Sequence, residues 1–331
     1  MKSIPLIIFI FSIHVLTASL LFGMEEPDVS SENIETESAE LEKTWRQSLS
    51  IYQKYEQNFL YISEKPKQNH YSDFESDKKY KTIGLRYALN NAAIGISTDI
   101  INNKTVNLKD INAEYFTGAW GFEYYYLNNK GYKLDDSNID YSGMKVVTTK
   151  MSIYHILQCD LSEPDKRINY EDFQTDKAPL KFIYGFFFRF SPGYTSIHNS
   201  SGIIPPGDRQ YYEQEISEIT DLKDYKLAWS AGAKGVFPWN EFFIAAGLDF
   251  GYSLDYITYR NNSKTGKHFF DPSEPCIVIN LEFTLGYTCN VFFTGVKIKS
   301  ENQFIDITNQ QNGLSIQVES ATCEIFAGVV F

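Results

Sequence analysis

The chain has 331 residues, 42 acidic against 30 basic side chains and a formal net charge of -12, a balance that excludes a nucleic-acid partner held by a basic surface. Mean hydropathy is -0.30 although 16% of the residues are aromatic, and beyond the first residues no stretch is long and apolar enough for a membrane helix. A β-barrel passes both tests, because only its alternate residues face lipid.

The N-terminus opens Met1, Lys2, Ser3 and continues as an apolar run from Ile4 to Phe22 broken by Pro5, Ser12, His14, Thr17 and Ser19. One positive charge before a short apolar run predicts a signal peptide over residues 1–23, and hence export. Eight acidic and no basic residues follow between Glu25 and Glu42. Such a segment cannot bury enough apolar surface to offset its ordering entropy, so residues 24–46 are expected as a disordered acidic leader in the periplasm.

The next stretch reads two ways. Leu41, Trp45, Leu49, Tyr52 and Phe59 suit one face of a helix, whereas Leu49, Ile51, Gln53 and Tyr55 suit a strand. Loop spacing further along requires a strand before Lys81, which selects Ser48 to Ile62 as the first strand of a barrel covering residues 47–331.

Beyond Lys81 the period is two. Phe182, Tyr184, Phe186, Phe188 and Phe190 oppose Lys181, Ile183, Gly185, Phe187 and Arg189. Tyr225, Leu227, Trp229, Ala231 and Ala233 oppose Asp224, Lys226, Ala228, Ser230, Gly232 and Lys234, and similar splits follow Trp239 and Pro275. The large apolar residues share one face. The charged residues share the other with Gly84, Gly95, Gly185, Gly232, Gly247, Gly251, Gly286, Gly295 and Gly328, as expected of a narrow lumen inside a membrane barrel. Short turns near Asn90, Gly118, Pro238 to Asn240 and Thr288 alternate with long loops at about 100–109, 128–143, 191–221, 259–274 and 299–313. That alternation is the outer-membrane pattern, and it predicts an all-β, up-and-down antiparallel transmembrane barrel of about twelve strands. Residues 158–179 break it with an over-long turn, in which a short extra strand is expected at Ile168 to Gln174. The soluble alternative is a periplasmic β-barrel binding protein.

The lumen-facing candidates are Arg86, Glu114, Glu123, Lys181, Arg189, Asp224, Lys226, Lys234, Asp249, Glu282, Lys297 and Glu324, joined by Asp99, Lys150 and Asp255. Near balance of the two signs favours pairing across a plugged interior over a narrow pore for small polar solutes, since selective pores carry rings of one sign. Val329 and Phe331 end the last alternating strand on an aromatic residue, the form of an outer-membrane assembly signal. Outer-membrane lipid and the assembly machinery are therefore the expected partners.

Other chemistry is weaker. His198 and Ser200 sit two apart, as in outer-membrane lipid hydrolases, but at the start of a Gly- and Pro-containing loop, so no catalytic residue is assigned. His70, His155, His198 and His268 lack metal-ligand spacing, and neither a metal nor a cofactor is expected. Cys276 and Cys289 fall at opposite ends of one strand, too far apart to bond, and Cys323 reads as a small hydrophobe.

The run Trp120, Gly121, Phe122, Glu123, Tyr124, Tyr125, Tyr126, followed by Asn129, Lys130, Gly131 and Tyr132, resembles the bacterial family known as domain of unknown function 4421. The likeness continues through the strands after Lys181 and Leu222 and the Phe-terminated last strand. It implies an outer-membrane barrel and carries over no catalytic or binding residue.

Overall fold

A chain that alternates apolar and polar residues gains from burying one face only when its strands lie side by side, and a computed structural model shows that they do. It describes residues 47–65, 71–76, 80–89, 92–99, 108–117, 120–134, 140–158, 182–212, 214–261, 265–269, 276–289, 291–307 and 313–331. The expected signal peptide, the acidic leader, Lys181 and the short strand expected at Ile168 to Gln174 lie outside the described residues.

The strands are β1 (Gln47–Lys65), β2 (Tyr71–Ser76), β3 (Tyr80–Leu89), β4 (Ala92–Asp99), β5 (Leu108–Thr117), β6 (Trp120–Leu134) and β7 (Asp140–Gln158). They continue with β8 (Ile183–His198), β9 (Ile219–Trp239), β10 (Phe242–Asn261), β11 (Thr265–Phe269), β12 (Cys276–Cys289), β13 (Phe292–Ile307) and β14 (Gly313–Val330). All pairings are antiparallel. The ring runs β1-β3-β4-β5-β6-β7-β8-β9-β10-β12-β13-β14 and returns to β1, a closed barrel of twelve strands. The two short strands stand outside this ring: β2 bridges the far ends of β1 and β6, and β11 pairs with the end of β10. The seam between first and last strands is continuous from Ser48↔Val330 to Lys65↔Gly313. It is extended by backbone bonds between Gln47 and Phe331, in which the amide of each donates to the carbonyl of the other.

Local chemistry sets the corners and bulges. The β9–β10 hairpin turns on Asn240, whose φ of 56° suits the left-handed turn that a tight hairpin requires. Gly131 (φ 90°) lies where the β6–β7 register shifts, a bulge that a residue with a Cβ would resist. A second shift, between β4 and β5, turns both Lys109 and Asp110 inward.

The strands are longer than the apolar rows predict. β9 has 21 residues and β10 has 20, about twice the 9–11 that cross a bilayer. The loops expected at 128–143, 191–221 and 299–313 are accordingly shorter, because β6 to β9, β13 and β14 run on into them. Above the bilayer outward residues are free to be polar, so the apolar alternation stops while the backbone pairing does not. The short turns, the start of β1 and the end of β14 lie at one end, the periplasmic one by the rule for such barrels, as does the long β7–β8 connection; the other long connections lie at the outer end.

Candidate functional site

The inward side chains fill the barrel in three levels. At the periplasmic level Tyr52, Val236, Phe243, Ala245, Phe293 and Phe326 form a buried cluster. Here the inward glycines find their purpose. Tyr52 pairs across the ladder with Gly84, Phe243 with Gly286, Phe293 with Gly328 and Phe326 with Gly295. In each pair a Cβ on the glycine would stand within 2.0–2.6 Å of the ring. The rings lie flat over the neighbouring glycines, so these small residues make room for aromatics rather than lining open space.

The outer level is a second apolar cluster, built from Leu60, Ile62, Met144, Val146, Ile197, Leu222, Ile257, Ile305, Leu314 and Ile316 on the strand ends together with the β8–β9 connection. That connection folds back into the mouth, burying Ile203, Ile204, Tyr212 and Ile216. The Asn199 amide donates to the Gly202 carbonyl at 2.7 Å, and the Arg209 guanidinium donates to the carbonyls of Ser201 and Ile204.

Between the two apolar levels lies the charge predicted for the lumen. Lys54 contacts Asp110 at 3.0 Å and Glu56 at 3.1 Å, and Glu56 also accepts from Asn58 and Asn129. Arg86 pairs with Glu324 at 3.5 Å. Arg189 holds Asp249, donates to Ser230 at 3.1 Å and reaches the Tyr154 hydroxyl, which itself donates to Glu123; Asn280 donates to Asp249 at 2.8 Å. Glu282 sits between Lys234 at 3.2 Å and Lys297 at 3.4 Å, and Lys226 between Asp224 at 3.7 Å and Asp255 at 3.6 Å. Glu301 is shared by Lys299 at 2.6 Å and Lys150 at 3.6 Å.

Several contacts cross the barrel. Lys150 stands on β7 and Glu301 on β13, five strands round the ring. The ring of Tyr125, on β6, lies 5.7 Å from the Lys54 ammonium of β1 and 5.9 Å from that of Lys299 on β13, the strand directly opposite. Side chains from facing walls therefore meet at the centre. A cavity of about 60 Å³ remains beside this network, lined by Glu123, Tyr154, Arg189, Asp249, Asn280 and Glu282 among others, room for a few water molecules.

Arg86, Glu123, Lys150, Arg189, Asp224, Lys226, Lys234, Asp249, Asp255, Glu282, Lys297 and Glu324 of the predicted lumen residues take part in this network, and Glu114 pairs across the ladder with Glu123 on the same inward face. Asp99 has no described side chain. Sequence reasoning missed Lys54, Glu56, Lys109, Asp110, Tyr125, Tyr154, Lys299 and Glu301. The alternation of β1 and β13, read to the strand ends, would have found Lys54, Glu56, Lys299 and Glu301. Lys109 carries no such signal, since only the bulge turns it inward.

His198 faces outward at the outer rim, and its Nδ1 lies 2.6 Å from the Asp221 carboxylate; no hydrogen bond joins it to Ser200. Val329 and Phe331 are exposed at the periplasmic end, and Cys276, Cys289 and Cys323 are thiols outside any disulfide.

The outer surface carries the opposite pattern. Phe186, Phe188, Leu227, Leu248, Phe250, Leu281 and Ile325 are exposed, with Phe188 58% and Phe250 65% accessible. A continuous apolar band around a ladder without free edges is a surface for hydrocarbon, not water, and it excludes the soluble alternative. The fold and this band define a transmembrane β-barrel of the outer-membrane class.

No family model matches the chain, and no curated protein matches it. Among solved structures it is similar to the outer membrane protease OmpT from Escherichia coli, at 10% identity and a TM-score of 0.36 over 87% of this chain and 96% of that one. It is also similar to the translocator domain of the autotransporter NalP from Neisseria meningitidis, at 9% identity and a TM-score of 0.34 over 85% and 88%. The Pseudomonas putida toluene transporter TodX follows at 7% identity and a TM-score of 0.30 over 86% and 89%.

Proposed function

We propose that this outer-membrane barrel does not conduct solutes and serves as a filled, structural support for the part of the chain held beyond the membrane. The observation that carries this reading is the meeting of opposite walls at Tyr125, between Lys54 of β1 and Lys299 of β13. A hydrated ion crossing this level would have to separate paired charges, and it would then face an apolar layer on either side. Strands about twice membrane length support the second half of the reading, since they carry a packed apolar core to the outer end.

The test is conductance of the refolded full chain in a planar bilayer. A silent membrane over a broad voltage range is the expected result; steady unitary currents would overturn the proposal. The reading also assigns no catalysis. Fatty-acid release from phospholipid that disappears in Ser200→Ala would overturn that part alone.

A further inference from the structure

The outer ends of β6 to β9 bring basic side chains together. Outward-facing residues brought together by the ladder include Lys130 on β6 opposite Lys145 on β7, and Lys145 opposite His198 on β8. Lys223 on β9 lies diagonally from His198, because its direct partner is Ser196 two residues along. Four basic side chains from four consecutive strands thus form one patch, in a chain whose net charge is -12. One carboxylate on the patch is Asp221, bound to His198 and accepting from the Thr220 hydroxyl. Among the described residues no carboxylate lies within ion-pair distance of Lys145 or Lys223. On the other wall the outward ladder row runs Asn302, Glu319, Phe59.

Height fixes what this patch meets. Tyr194, Tyr225 and Tyr256 form an outward row on β8, β9 and β10, their rings 5.1 and 6.0 Å apart. Beneath Tyr225 the same face of β9 continues as Leu227 and Trp229, both exposed within the apolar band. A tyrosine row at the edge of such a band marks the headgroup level, and the lysines stand beside and just above it.

We propose that Lys130, Lys145, His198 and Lys223 bind the phosphate of an anionic lipid headgroup in the outer leaflet, with Tyr194 and Tyr225 packing against the start of its acyl region. The proposal rests on the membrane-barrel class and is independent of whether the lumen conducts.

The test reconstitutes the full chain into phosphatidylcholine vesicles containing a minority of phosphatidylglycerol and measures co-purifying lipid after detergent extraction. Wild type should retain phosphatidylglycerol over phosphatidylcholine. Lys145→Gln with Lys223→Gln should retain it about tenfold less, while Glu319→Gln on the other wall changes nothing. The charge-conserving Lys145→Arg with Lys223→Arg should keep the preference, which separates loss of binding from loss of fold. No lipid preference in wild type, or a preference unchanged in the Gln variant, overturns the proposal. Displacement of the lipid by inorganic phosphate at equal concentration would overturn the lipid assignment and leave a free-phosphate site. Failure to enter vesicles at all would instead strike the membrane reading.

Discussion

The aromatic slots at the periplasmic end make a prediction whose size follows from the geometry. An added Cβ at Gly286 would stand 2.0 Å from Cζ and 2.3 Å from Cε1 of Phe243. Ordinary carbon contact is about 3.5–4.0 Å, so the ring has to retreat by roughly 1.5 Å. It has nowhere to go, because Phe243 is wholly buried among Val236, Ala245, Phe293 and Phe326. Gly286→Ala should therefore cost about 2–3 kcal/mol, as overpacked cores do. On backbone grounds alone the sign would be reversed, since glycine is the poorer strand former by about 0.5–1 kcal/mol. Phe243→Ala by itself should cost about 3–5 kcal/mol for the lost ring and the cavity. With the ring gone the extra methyl at residue 286 fits, so the double variant should fall short of the sum by about 2 kcal/mol. Equilibrium urea unfolding of the refolded barrel in phospholipid vesicles, followed by tryptophan fluorescence, measures all three. A neutral or stabilising Gly286→Ala, or strict additivity, would refute the idea that rings occupy the glycine positions.

Asp249→Ala should destabilise by about 3–5 kcal/mol, because it leaves the Arg189 guanidinium buried without its carboxylate. Replacing both with Arg189→Met and Asp249→Leu should recover most of that loss in the same unfolding assay. Gly131→Val should cost about 1–3 kcal/mol, since a branched residue resists a φ of 90°, whereas valine at Gly207, which has no neighbour within 4 Å of an added Cβ, should be nearly silent.

Much of the barrel can be read from the residues, and the places where it cannot have physical causes. From Phe182 to Phe190, and along the strands holding Trp229, Phe250 and Leu281, one face must satisfy lipid and the other a polar interior, so the period of two is written almost without errors. At the outer ends that pressure is absent. Tyr61, Gln317 and Asn302 face water from paired strands, and nothing in their order distinguishes ladder from loop. The plug had a trace in the sequence: Ile203 and Ile204 stand before two prolines in an otherwise polar stretch, and only a folded-back connection buries such a pair. Within the lumen, charges were legible by sign and parity, but their partners were not. Tyr125 and Lys299 are far apart along the chain and become neighbours only when the ring closes. A tyrosine on a charged face also reads as an imperfection of the pattern, when in the barrel it spans the gap between walls.

An interior filled from wall to wall also changes how the protein answers the membrane around it. A hollow cylinder of twelve strands can flatten or flare when the bilayer thickens, thins or is compressed from the side. Here such a distortion would have to compress close-packed rings and pull apart paired charges on several levels at once, and packed protein interiors yield little. The lipid is the softer body, so mismatch in thickness should be taken up by stretching or tilting of the chains next to the protein. On the proposed reading of a filled barrel, its height should stay fixed, and the strand ends above the outer leaflet should keep a constant distance from the surface.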